Sequence, residues 1–269
     1  NMRVEGKVFV VTGGGSGIGR ALTLALLARG ARVAAADINL KTLEETAALA
    51  GSPGERLSLH TLNIADRTAV EALPAAVIAA HGAVDAVVNN AGVIQKFVRF
   101  KDLPFDEVFR MVDVNFYGTV YMTKAFLPHL LQRPEGFVVN VSSMGGFLPV
   151  PGQTMYGASK AAVKLFTEGL YSELIGTRVH AMVVFPGAIE TNIASNSGAL
   201  PKMDGTMPEK RMKTTPAKVA AEEIIKGIEG DRFRVLIGPD AKLMDFLSRV
   251  APHQAAKFIY KQMGNLLAD

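Results

Sequence analysis

The sequence contains no cysteine. Disulfides, thiolate catalysis and cysteine-ligated zinc are therefore excluded, and the composition suits a reducing cytoplasm, the location expected here. No run of about 18 or more apolar residues occurs, so a membrane-spanning helix is not expected. The five histidines, His60, His81, His129, His180 and His253, are scattered. No two stand three or four residues apart, so no helical metal pair is offered and no metal is expected. Tandem repeats and a linker rich in proline, glycine and serine are also missing. Charge of one sign is in small excess: 29 Lys and Arg against 25 Asp and Glu give +4, with a pI near 9.2. Such a balance suits an anionic cofactor and does not argue for nucleic acid.

What is present is an ordinary globular composition, 49% hydrophobic and 20% charged. Short β-rich runs at 7–12, 32–37, 56–62, 84–89, 136–142, 178–185 and 233–238 alternate with alanine- and leucine-rich helical stretches. Several of these runs are apolar on both faces, as buried parallel strands are. The pattern predicts an α/β protein: a Rossmann-type, doubly wound parallel sheet of about seven strands with helices on both faces. One domain over 1–269 is expected. Its least regular stretch, about 188–215, reads as a substrate loop, and 239–269 reads as a helical tail divided at Pro252.

The stretch "VTGGGSGIG" (11–19) lies between the first predicted strand and the first predicted helix. Glycines permit positive φ and leave peptide N–H groups open to an anion, and the helix N-terminus adds partial positive charge. A diphosphate fits that environment, held by Gly13, Gly15, Ser16, Gly17, Ile18 and Gly19. The next strand ends at Asp37, whose carboxylate can accept hydrogen bonds from both adenosine ribose hydroxyls and would repel a 2′-phosphate. Ser16 stands where a basic residue would have compensated. NAD is therefore expected over NADP.

The spacing Thr12-Gly13-x-x-x-Gly17-x-Gly19 resembles the short-chain dehydrogenase/reductase family rather than the more widespread G-x-G-x-x-G pattern. Further matches follow in order: "NNAG" (89–92), Asn115 in "VDVNFYGT", "NVSS" (140–143), "YGASK" (156–160) and "PGAIET" (186–191). The resemblance covers roughly residues 5–240. It implies a catalytic set of Asn115, Ser143, Tyr156 and Lys160, with Ser143 chosen over Ser142 by its thirteen-residue distance from the tyrosine. It further implies that Asn63, Ile64, Asn90, Ala91 and Gly92 grip the adenosine side of the cofactor. Pro186, Gly187, Ile189 and Thr191 are implied to wrap its nicotinamide and diphosphate, with Tyr156 and Lys160 beside the ring and ribose. Asn63 stands where the family often has aspartate.

Tyr156 and Lys160 are i and i+4 and share a helix face. An ammonium near a phenol favours phenolate, so Lys160 is expected to lower the Tyr156 pKa. Tyr156 then exchanges the substrate proton, Ser143 positions the substrate oxygen, and Asn115, by resemblance, holds a water linking Lys160 to solvent. Phe147, Leu148, Val150, Met155 and the loop 188–213 are expected to form a pocket for a hydrophobic secondary alcohol or ketone: steroid-like, fatty-acyl or aryl. Two alternatives stand beside this reading, an NADPH-dependent 3-oxoacyl-type reductase and a non-catalytic dinucleotide sensor on the same fold. The apolar and basic tail is read as covering the active site or a subunit interface in preference to lying on a membrane surface. The resemblance implies a homotetramer or homodimer.

Overall fold

The computed structural model describes residues 2–191, 193–199 and 214–267. In chain order the elements are β1 (Val8–Thr12), α1 (Gly17–Ala28), β2 (Arg32–Asp37), α2 (Leu40–Leu49), β3 (Leu57–Thr61), α3 (Arg67–His81) and β4 (Ala86–Asn89). Then come α4 (Phe105–Val112), α5 (Gly118–Leu130), β5 (Gly136–Val141), α6 (Thr154–Leu174) and β6 (Val179–Pro186). The chain continues through β7 (Ile189–Glu190), α7 (Ile193–Asn196), β8 (Thr215–Pro216), α8 (Ala217–Glu229), β9 (Arg234–Ile237), α9 (Pro239–Val250) and α10 (Pro252–Met263).

Seven strands form one parallel sheet in the order β3-β2-β1-β4-β5-β6-β9. Alternation along each strand divides its side chains between two cores. Phe9, Val11, Val139 and Val184 face α1 and α8, where they meet Leu22, Leu26, Ile224 and Ile228. Val8, Val10, Val87 and Val138 face α3, α5 and α6, where they meet Val77, Phe126 and Leu170. Helices on both faces explain why these strands read as continuous apolar runs. The strand order reverses between β1 and β4, which opens a crevice at the carboxyl ends of the strands, the usual ligand site of such sheets.

The seven strands read from the sequence are all present, with ends shifted by up to two residues. The stretch 188–215 is more structured than its composition predicts. β7 pairs with β8 in parallel, and Thr215 N donates to Ala188 O at 2.8 Å, so both ends of the segment are pinned together. Asn192 and residues 200–213, part of the expected substrate loop, lie outside the described residues, as do 268–269 of the tail. Pro252 does divide the tail, because its ring has no N–H and so begins α10. The inner faces of α9 and α10 bury Ala241, Met244, Ala255 and Ile259 against Met144 and Leu148. Their outer faces leave Leu243, Phe246 and Val250 exposed. No helix among the described residues is long and apolar enough to cross a membrane.

Candidate active site

A cleft of about 1070 Å³ runs from the glycine loop, across the carboxyl ends of β1, β4 and β5, to the start of α6. Gly13, Ser16, Gly17 and Ile18 line one end, with Asp37, Asn63 and Ile64 beside them. Asn90, Ala91 and Gly92 form the middle, and Ser143, Tyr156 and Lys160 stand at the far end, facing Pro186, Gly187, Ile189 and Thr191. Gly15, Gly19 and Asn115 are not in its lining. Each of the three has a visible structural task instead.

Gly13 and Gly17 adopt φ of +69° and +51°, which is the turn that sets α1 pointing at the cleft. Gly19 is needed for close approach: a Cβ there would overlap the Gly13 carbonyl and lie 2.7 Å from Asn90 Nδ2. Gly15 donates its N–H to Asp37 Oδ2 at 3.0 Å, while Asp37 Oδ1 accepts from Asn39 N at 3.1 Å. The Asp37 carboxylate is thus fixed by the loop it borders. Arg20, the cation one turn into α1, is held by Glu45 at 2.8 Å and by Thr46 at 3.0 Å, so it is already paired. Thr12 and Asn90 stitch the two strand ends together. Thr12 Oγ1 accepts from Asn90 N and Ala91 N, and Asn90 Nδ2 donates to Thr12 O at 3.0 Å. Asn63 uses its Oδ1 to accept from Ala65 N, closing a local turn.

A single π-helical turn, Asp113–Tyr117, separates α4 from α5 and carries Asn115. Such turns break the regular ladder and are frequent at functional sites. The buried Asn115 carboxamide pairs with both backbone groups of one residue: Oδ1 accepts from Val93 N and Nδ2 donates to Val93 O, both at 2.9 Å. Nδ2 also donates to Ser159 Oγ at 3.0 Å, and Ser159 Oγ donates to Tyr156 O at 2.7 Å. Both amide hydrogens are therefore committed, and the water-holding role expected of Asn115 finds no free donor on its side chain.

Ser142 and Ser143 point apart, as their adjacent places at the end of a strand require. Ser142 Oγ donates to Lys160 O at 2.7 Å and anchors α6. Ser143 Oγ accepts from Gly145 N at 3.0 Å and hydrogen-bonds the Tyr156 phenol. Burial raises the Tyr156 pKa above its ordinary value, and the Ser143 bond opposes that rise. Lys160 donates to Val141 O at 2.9 Å, and burial lowers its pKa to about 8. The i, i+4 pair shares a face as the spacing predicts, but burial, not the ammonium, sets the direction of the phenol's shift.

That depressed value has a consequence for stability. An unfolded lysine titrates near 10.5, so between about 8 and 10.5 the unfolded chain binds this proton more tightly than the folded one. The Lys160 share of stability is lowest below that window and rises with pH through it. We expect the unfolding free energy of the wild type minus that of Lys160→Met to climb across the window. A flat difference in denaturant titrations would show that the amine is not desolvated.

The substrate end departs from the sequence-based expectation. Leu148 is buried under the tail, Phe147 packs edge-on against Phe185 at 5.4 Å, and neither lines the cleft; nor does Met155. The apolar residues beyond Ser143 look equivalent in sequence, and the packing of α9 and α10 takes Phe147 and Leu148 away. Val150 does line the cleft, with Ile94, Phe97, Phe109, Met144 and Met263. Met263 comes from α10, so the tail reaches the cleft. The segment around α7 is tied across the mouth: Ile94 N donates to Ser197 Oγ at 3.0 Å and Arg110 Nη2 to Ser197 O at 3.1 Å. Asp240 accepts from Ala188 N at 2.8 Å and fixes the turn after β6. An aspartate just after a helix-starting proline was a usable sequence signal for it.

Among the described residues, titratable side chains also cluster away from this cleft. Ser58 Oγ sits 2.8 Å from His60 Nε2 and 2.7 Å from His81 Nε2. Glu135, His180 and Asp231, at the opposite end of the sheet, bring ligand-type atoms within 4.8 Å of one another.

The family model for short chain dehydrogenases matches residues 7–201. The chain belongs to the short-chain dehydrogenase family. It is thereby an oxidoreductase of the type that acts on CH–OH groups with a nicotinamide dinucleotide. SadH of Mycobacterium tuberculosis is 39% identical to this short-chain dehydrogenase over 252 residues, covering 91% of each chain. The 3-oxoacyl-[acyl-carrier-protein] reductase FabG of Thermotoga maritima is 36% identical over 221 residues, 81% of this chain and 84% of that one. Among solved structures, a short-chain dehydrogenase/reductase from Burkholderia phymatum in complex with NAD superposes with a TM-score of 0.83 at 26% identity. It covers 93% of this chain and 96% of its own.

Proposed function

We propose that this short-chain dehydrogenase moves a hydride between NAD(H) and a hydrophobic secondary alcohol or ketone, with Tyr156 carrying the proton. One observation supports this most: the hydrogen-bonded Ser143–Tyr156 pair and the buried Lys160 occupy the same cleft as the glycine loop and Asp37. The residues suit the cofactor. The glycine loop and the α1 N-terminus receive the diphosphate, Asp37 receives the adenosine ribose, and Tyr156 and Lys160 flank the nicotinamide end. When bound, the nicotinamide supplies or accepts the hydride.

In reduction, the substrate carbonyl oxygen sits against Ser143 Oγ and the Tyr156 hydroxyl. Tyr156 gives up its proton as the carbonyl carbon gains the hydride, and the product is the alcohol. Oxidation runs the same steps backwards. A phenol held above its ordinary pKa is fully protonated at neutral pH and serves as the acid. We therefore expect reduction to stay level through neutral pH and to fall only in the alkaline range, with oxidation rising there. Ile94, Phe97 and Phe109 give this end of the cleft an apolar wall, which supports a hydrophobic substrate, with Asp106, Arg110 and Asp113 beside it.

The Asp37 carboxylate and the paired Arg20 support NAD over NADP. Titration of both reduced dinucleotides tests this, with NADH expected to bind tighter by roughly ten- to a hundredfold. Asp37→Asn should close most of that gap. Tighter binding of NADPH to the wild type would favour the second reading, a 3-oxoacyl-type reductase, for which the FabG relative argues. A panel of secondary alcohols with NAD, followed by NADH absorbance, tests the activity itself. A protein that binds NAD and turns over none of them would be a dinucleotide sensor. Exposed Phe105, Tyr117 and Leu165, on or beside the helices that carry Asn115 and Tyr156, support a homotetramer or homodimer, which light scattering measures. A cytoplasmic location is part of the same proposal and accords with the lack of cysteine.

A further inference from the structure

The helix that carries Tyr156 and Lys160 begins without a cap of its own. The first N–H groups of any α-helix lack intrahelical partners, and a side-chain oxygen at the N-cap normally accepts from the second or third of them. Here the N-cap residue is Gln153, and its side chain makes no such bond. The acceptor comes from about sixty residues earlier. Gln95 Oε1 accepts from Met155 N at 2.9 Å and from Tyr156 N at 3.0 Å, the second and third N–H groups of α6. Gln95 Nε2 donates to Gly152 O at 2.9 Å, and Gln153 Nε2 donates back to Gln95 O at 2.7 Å. The side chain is wholly buried. Its orientation is settled by its partners, since N–H groups surround the oxygen and a carbonyl faces the nitrogen.

Gln95 stands three residues after Gly92, on the loop that follows β4. That loop is itself a wall of the cleft: Gly92, Val93, Ile94 and Phe97 line it. A Cβ on Gly92 would lie 3.0 Å from Asn115 Oδ1 and 3.1 Å from Lys160 Nζ. The same short loop therefore meets Lys160 at one end and holds the backbone of Tyr156 at the other. A glutamine reaches across where serine or aspartate at the cap would only close the helix on itself.

We propose that Gln95 is a positioning residue for the proton-transfer step, setting Tyr156 against the wall of the cofactor cleft. The inference rests on the reading of Tyr156 as proton carrier given above. Gln95→Met keeps the length and removes the acceptor and donor. Gln95→Glu keeps the acceptor for both N–H groups, gives up the donor to Gly152 O, and when ionised adds a negative charge at the helix start. Because a displacement of about an ångström at a reacting group can slow chemistry by roughly a hundredfold, Gln95→Met should lower kcat by about ten- to a hundredfold, with the KM for NAD changed by less than about threefold. Gln95→Glu should recover kcat to within about fivefold, and its charge should move the Tyr156 titration up by about one pH unit.

The titration is read in two ways: from the alkaline limb of the rate profile, and from the ring-carbon resonance of Tyr156 in protein labelled at its five tyrosines. Tyr156→Phe assigns that resonance. The inference is overturned if Gln95→Met lowers only the melting temperature and leaves kcat intact. It is equally overturned if Gln95→Glu leaves the Tyr156 titration where the wild type has it, and this second arm decides alone if Gln95→Met fails to fold. A wild type that oxidises no alcohol at all contradicts the functional reading instead, and the resonance titration then still decides the role of Gln95.

Discussion

Tyr156→Phe is expected to lower kcat by roughly a thousandfold or more while NADH binding changes by less than about threefold. Among the described residues at the Ser143 end of the cleft, the phenol is the group placed to pass a proton to a carbonyl oxygen; the Ser143 hydroxyl beside it is bonded to Gly145 N and to Tyr156 itself. Phenylalanine keeps the buried ring and removes only the oxygen. Stability should therefore move by about 1 kcal/mol or less, the net worth of one hydrogen bond set against easier burial. Ser143→Ala removes an orienting bond and not the proton, so its loss should be smaller, about ten- to a hundredfold. It should also move the Tyr156 titration further up, because the bond that opposes the effect of burial is gone. Equal losses for the two variants, measured as kcat at saturating substrate, would argue that both act only by shaping the cleft.

The largest effect on folding is expected at Gly19. A methyl group there would overlap the Gly13 carbonyl, which is backbone and cannot swing aside, and would also crowd the Asn90 side chain. Gly19→Ala should cost about 3 kcal/mol or more, or yield no soluble protein, and whatever folds should bind NADH weakly. Gly169 is the matched control. It lies inside α6, nothing stands within 4 Å of an added Cβ, and its φ is not positive. Gly169→Ala should stabilise the protein by about 0.5–1 kcal/mol through helix propensity. Thermal or urea unfolding of the two variants measures opposite signs for the same chemical change. Destabilisation of similar size at both positions would mean that the loop geometry does not govern the effect.

The sheet was legible in the sequence because buried parallel strands leave long apolar runs, and α/β alternation leaves one consistent topology. The cleft was legible because its glycines and its Ser143, Tyr156 and Lys160 are local patterns with fixed spacing. Residues that act across the fold were not. Gln95 has no special neighbours in sequence, and its role exists only because the loop after β4 reaches α6. Asn115 could be placed by resemblance, yet its commitment to Val93 and Ser159 depends on the π-turn, which no local pattern announces. Phe147 and Leu148 were expected in the pocket because apolar residues beside Ser143 look alike until the tail covers some of them. The direction of the Tyr156 shift also escaped the sequence. Spacing reveals a neighbouring charge, whereas desolvation depends on everything packed around the ring.

Hydride passage between a carbinol carbon and a nicotinamide is the central claim, and isotope transfer tests it most directly. The protein is incubated with NAD and a panel of cyclic and aryl secondary alcohols carrying deuterium at the carbinol carbon, and the NADH formed is weighed by mass spectrometry. The account predicts NADH one deuterium heavier with at least one alcohol, formed roughly a thousandfold or more slowly by Tyr156→Phe. Unlabelled NADH, or labelled NADH formed equally well by Tyr156→Phe, would contradict it.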